Sequence, residues 1–120
     1  MYRAFLVAHV DRVAQEVLAA DYAGSVLPGA AQAWNTMLEQ IGREQRGLTY
    51  TLRPELKNLR PQTLFIWGDK DTFGPPTLGQ EMAALAPHAR CEVVRDAGHL
   101  VWLDQPEVCA KVTINFLNHG

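Results

Sequence analysis

Apolar positions change their spacing partway along the chain. Over residues 1–60 they recur at helical intervals. Leu6, Val10, Val13, Val17 and Leu18 fall on one helical face. The stretch Asp21 to Gly29, which holds Gly24, Pro28 and Gly29, should break that helix. A second helix is expected over Ala30 to Arg46, with Trp34, Met37, Leu38 and Ile41 in one stripe and Gly47 as its end. Residues 48–60 read as a loop or short turn around Pro54.

From residue 61 the pattern becomes that of strands and helices in alternation. Thr63-Leu64-Phe65-Ile66-Trp67 is a short unbroken apolar run between Pro61 and Gly68. A strand buried on both faces of a parallel sheet reads this way. Pro75 and Pro76 should open a helix that runs to Ala86 and is closed by Pro87. Cys91-Glu92-Val93-Val94 is a second strand. A last helix follows Asp104-Gln105-Pro106-Glu107, with Asp104 placed to cap the Glu107 amide and Cys109, Val112, Phe116 and Leu117 as its buried face. Strand, helix, strand, helix implies a right-handed crossover and parallel strands.

Composition narrows the function classes. The chain has 120 residues, enough for one domain, and 48% of them are hydrophobic. A net charge of -2 gives no basic footprint for nucleic acid or an anionic membrane surface. No apolar run approaches the roughly 18 residues of a membrane span. Asp11, Arg12 and Glu16 in the first twenty residues do not fit a secretory signal. Cys91 and Cys109 lack metal-ligand spacing and are expected as free core thiols in a cytoplasmic setting.

In an open parallel sheet, function collects at the carboxyl ends of the strands. Two residues sit there: Asp71, in Gly68-Asp69-Lys70-Asp71, and His99, in Ala97-Gly98-His99. Neighbouring strands are about 4.8 Å apart, so loops from adjacent ends can bring a carboxylate to an imidazole. That pairing fixes the imidazole tautomer and lets its other nitrogen take a proton from a nucleophile. Gly68 and Gly98 are expected to let each loop turn sharply. A different α/β fold using both residues for structure alone would point them apart.

The segments LFIWGDKDTFGPP and VVRDAGHLVWLDQPEV resemble the last two strands of the α/β-hydrolase fold. In that family the acid follows one strand as G-x-x-D and the histidine follows the final strand as G-H. The resemblance therefore implies Asp71 as the triad acid and His99 as the triad histidine, with Asp69 one turn position too early. It covers about residues 58–118. It implies an α/β chain of two parallel strands with flanking helices, residues 58–120 forming the C-terminal part of the hydrolase core. Residues 1–57 resemble loosely the helical lid of many members, in which Trp34, Met37 or Tyr50 would line an apolar pocket, while by residue type ordinary core packing is the favoured place for them. Thr72 to Pro76 and Val101 to Leu103 would lie at the pocket mouth or, equally, pack as loops onto the last helix.

The family's nucleophile elbow, G-x-S-x-G, has no match. The single serine, Ser25, has Ala23 and Leu27 at the glycine positions, and neither cysteine nor any aspartate stands in the equivalent frame. In the family the nucleophile precedes the acid and the histidine. A chain that begins after it is expected to be inactive alone, as a fragment of a serine-type hydrolase of carboxyl-ester or related bonds. Its complete form would take a small apolar ester-like substrate and no metal or organic cofactor. An open sheet edge would favour self-association. The alternative is a non-catalytic α/β-hydrolase-like module, a pseudoenzyme acting in protein association.

Overall fold

Aromatic and β-branched side chains in unbroken succession favour the extended backbone, and Thr63–Gly68 forms strand β1. Ala89–Val94 forms strand β2. The two run parallel, in register from Thr63 opposite Ala89 to Gly68 opposite Val94. Helix α3, Pro76–Leu85, connects them. It is preceded by the elements α1, Gln15–Ser25, and α2, Ala30–Gln45, and followed by the short α4, Val101–Asp104, and α5, Pro106–His119. The computed structural model describes residues 5–45 and 53–119. These group into two compact units, Met1–Val13 with Arg53–Gly120, and Ala14–Leu52.

In the first unit, successive residues of β1 face opposite helices, as the pleat requires. Trp67 faces α3, where a Cβ on Gly79 would lie 2.6 Å from its ring, and its indole N–H donates to the Gly74 carbonyl at 3.0 Å. Ile66 faces the other way, onto a core of Val94, Ala97, Val101 and Cys109. This core lies beneath the loop that carries His99, with Ala97 wholly buried. Arg90 reaches the same side and stacks its guanidinium over the Phe116 ring.

The strands are less covered than their apolar run predicts. Only Gly68 and Val94 are buried in them, the remainder half-buried or exposed. Among the described residues the sheet has these two strands alone, so helices cover it only in part. The last helix differs as well. Cys109 is buried and Val112 and Phe116 are half-buried, but Leu117 is 74% exposed. Eight residues beyond Cys109, Leu117 is turned about 80° round the helix, off the buried face.

The expected helix through Leu6 and Leu18 is not continuous. Val10–Arg12 is a single 3-10 turn flanked by extended backbone at His9 and Val13. The amides of Ala8 and His9 bond a side chain, Asp104, rather than carbonyls one turn back, which interrupts the helical ladder. Val7 and Val13 are buried at either side. Residues 53–58 form a second 3-10 turn, within the stretch read as a loop or short turn around Pro54.

In the second unit, α1 continues through Asp21 and Gly24, farther than the glycine and proline content suggests. The break comes at Val26 to Gly29, where Gly29 takes φ +82° and its carbonyl accepts the Ala33 amide. Helix α2 matches the expected second helix, while Gly47 and Tyr50 lie outside the described residues. Trp34, Met37 and Leu38 are exposed on α2, so within this unit they are not core.

Candidate active site

Both loops that carry the expected acid and histidine leave the carboxyl ends of paired strands. Backbone bonds prolong the pairing beyond the sheet: the Asp69 amide donates to the Val94 carbonyl at 3.0 Å and the Lys70 amide to the Ala97 carbonyl at 2.9 Å. The Asp69 carboxylate accepts the Ala97 amide at 3.3 Å. Asp69 thus holds one loop to the other, and Asp71, two residues on, is the carboxylate that meets the imidazole.

Asp71 Oδ2 lies 2.9 Å from His99 Nδ1. Its other oxygen accepts the Phe73 amide at 2.8 Å, an Asx turn that fixes the carboxylate plane. The Asp71 side chain is 4% exposed and that of His99 45%. An ionised carboxylate only accepts hydrogen bonds, so the contact requires the proton on Nδ1. Nε2 is then the nitrogen left to exchange a proton with a substrate-side group. The Phe73 ring packs on His99 at 4.7 Å between centroids, tilted by 51°, which limits rotation of the imidazole.

The two glycines of these loops act by close approach, with neither in the left-handed region. A Cβ on Gly68 would stand 2.2 Å from the carbonyl oxygens of both Ala97 and Gly98, and one on Gly98 would stand 2.8 Å from the Ala8 amide nitrogen. The sharp turns foreseen for them are instead tight backbone crossings.

Asp104 does not cap the last helix. It ends α4, is 3% exposed, and accepts three backbone amides: Gly98 at 2.7 Å, Ala8 at 2.8 Å and His9 at 2.9 Å. Two of these donors lie more than ninety residues away in sequence, which local capping rules cannot see. The available signal was an acidic residue closing the apolar run Val101-Trp102-Leu103. The segment from Phe5 to Arg12 was missed as part of this region altogether. The Leu100 amide donates to the Leu6 carbonyl at 2.7 Å, and the Thr72 hydroxyl donates to the Phe5 carbonyl at 2.7 Å.

Asp96 gathers basic side chains. With φ at 59° it takes a left-handed turn that aspartate tolerates. Its carboxylate meets Lys70, His9 and Arg12, and their hydrogen bonds, that of Lys70 foremost, hold its pKa far below the usual carboxylate range. Burial raises the thiol pKa values of Cys91 and Cys109, with Glu92 adding to the effect at Cys91. Among the described residues no group of His, Cys, Asp and Glu gathers as metal ligands do, and no helix is long and apolar enough to cross a membrane.

The chain is similar to known proteins in sequence and in fold. A sequence model described as the alpha/beta hydrolase family matches residues 2–112. Carboxylesterase YbfK of Bacillus subtilis is 28% identical over 93 residues, 76% of this chain and 31% of that protein. An esterase structure from Thermogutta terrifontis is 31% identical with a TM-score of 0.54, over 56% of this chain and 25% of that one. A meta-cleavage product hydrolase structure, CumD, covers 97% of this chain and 42% of its own, with a TM-score of 0.75 and 23% identity, a likeness of fold. The chain spans less than a third of the length of the curated relatives it matches.

Proposed function

The chain belongs to the alpha/beta hydrolase family, and from that premise we propose that it carries the acid and histidine of a serine-type hydrolase of carboxyl-ester or related bonds. The observation that carries the reading is the 2.9 Å contact of the nearly buried Asp71 carboxylate with His99 Nδ1. In the proposed reaction His99 Nε2 takes the proton of a serine hydroxyl as that oxygen attacks the ester carbonyl. It returns the proton to the leaving alkoxide, and the cycle repeats with water. Asp71 holds the tautomer and stabilises the imidazolium. No cofactor enters these steps.

The attacking serine, in this reading, is contributed by residues outside this sequence. Ser25 is a poor substitute: it is exposed on α1 and its hydroxyl donates to the Tyr22 carbonyl at 2.8 Å. The missing elbow also supports the second reading, a non-catalytic hydrolase-like module. Residues 1–57 as a lid, and a small apolar ester as substrate, belong to the same proposal.

The test joins the chain to the part of Bacillus subtilis carboxylesterase YbfK that it does not match and follows hydrolysis of a short-chain p-nitrophenyl ester. The joined protein should turn over and the chain alone should not. His99→Ala in the joined protein should cost at least about 10⁴-fold in kcat. Turnover by the chain alone that is lost in His99→Ala would contradict an external nucleophile. A folded joined protein indifferent to His99→Ala would contradict the role of the histidine and favour the non-catalytic module.

A further inference from the structure

A carboxylate withdrawn from water must be matched by hydrogen-bond donors. Asp104, 3% exposed, is matched by three main-chain amides and by no cation among the described residues. One of these donors, Gly98, immediately precedes His99, and it gives the shortest of the three bonds. The others, Ala8 and His9, belong to the segment that passes directly over Gly98. That segment is fixed at further points around the site: Leu6 to Leu100 and Phe5 to Thr72, and His9 and Arg12 to Asp96.

We propose that Asp104 is a positioning residue for His99: its carboxylate clamps the Gly98 amide and straps residues 5–12 across the loop, so that the imidazole meets Asp71. The inference rests on Asp71 and His99 being the working pair. Charge-assisted bonds are shorter and stronger than neutral ones, so one carboxylate sets the path of two chain segments. Gly98 is needed at the crossing because any Cβ would meet the Ala8 amide or Val7 backbone. Asparagine at 104 would keep the size but offer one acceptor oxygen and turn an NH₂ toward amide donors.

The test is NMR on the 120-residue chain, reading the His99 Nδ1 proton and backbone amide exchange. In Asp104→Asn the ring proton should exchange about tenfold faster or more, the loss expected of a hydrogen bond to a charged group. Amides of β1 and β2 should keep their protection, and Asp104→Glu, with both oxygens restored, should fall between. An unchanged ring proton in Asp104→Asn, or one lost only in step with the strand amides, overturns the positioning role. Should Asp104→Asn not fold, the wild-type chain decides. The ring proton and the Gly98, Ala8 and His9 amides should become exchangeable in one opening event, with one denaturant dependence. A ring proton that exchanges independently of those amides overturns the role. Asp71→Asn separates the two readings. A ring signal surviving Asp71→Asn removes the working pair and the proposal with it. A signal lost in Asp71→Asn but kept in Asp104→Asn removes the Asp104 role alone.

Discussion

At the scale of single residues, the proton on His99 Nδ1 follows from what lies beside it. Asp71 can only accept, and its second oxygen is already engaged by the Phe73 amide. Asp71→Asn presents an amide that can turn its NH₂ toward the ring and favour the opposite tautomer. Nitrogen-15 shifts of the His99 ring should move from the Nδ1–H pattern toward Nε2–H. In the joined hydrolase kcat should fall about 10⁴-fold. The thiols behave differently. Burial raises the pKa of both Cys91 and Cys109, and the thiolate is the reactive form. Labelling by a disulfide reagent at pH 7.5 should therefore run slower than for free cysteine at each, and denaturation should abolish the difference. The pair Asp71 and His99 was legible in sequence because each follows a strand run at a fixed short spacing. The Asx turn at Phe73 and the ring contact were not, since they depend on side-chain rotamers.

Among the elements, the strand-helix-strand-helix order was readable from where apolar runs stop and prolines begin. Register was readable only once the two strands paired. Gly68 shows why. In sequence it is a strand-ending glycine; in the fold it is where β1 passes against the Ala97 and Gly98 carbonyls at a distance no Cβ could share. Gly68→Ala should cost about 1–3 kcal/mol, as overpacking against backbone does, measured by urea unfolding. It should also weaken the His99 ring-proton signal. Helix α4 taught the converse. Asp104 sits where a helix cap would, yet it serves amides more than ninety residues away. Likewise the helical spacing of Leu6 to Leu18 was real, but side-chain bonds to the Ala8 and His9 amides prevailed over it.

At the scale of the whole molecule, two consequences can be measured. Among the described residues the buried apolar set is small, made of Val7, Val13, Ala83, Ala86, Val94, Ala97, Val101 and Cys109, with no large side chain fully enclosed. A two-strand sheet with such a core is marginal in water, and an exposed strand edge invites pairing. Size-exclusion chromatography should show a concentration-dependent larger species, and a strictly monomeric profile up to high concentration would contradict this. The second consequence concerns pH. The Asp96 carboxylate is held ionised in the fold by Lys70, His9 and Arg12. Its contribution to stability is thus complete above the unfolded value of about 3.9. It is lost as pH falls below that toward the lower folded value. Asp96→Asn should lower stability at pH 7 and flatten the fall in unfolding midpoint between pH 4 and more acid conditions.

The sequence by itself determined the two strands, the proline-opened helices and the placement of Asp71 and His99 at the strand ends, because these depend on local periodicity and turn chemistry. It also supplied the family likeness and the absence of an elbow. Tertiary structure alone decided which glycines are crossings, that Asp104 gathers distant amides, and that residues 5–12 cross the histidine loop. Each of those is a contact between residues far apart in the chain, set by burial and by the need of every withdrawn amide and carboxylate for a partner, and no local pattern encodes it.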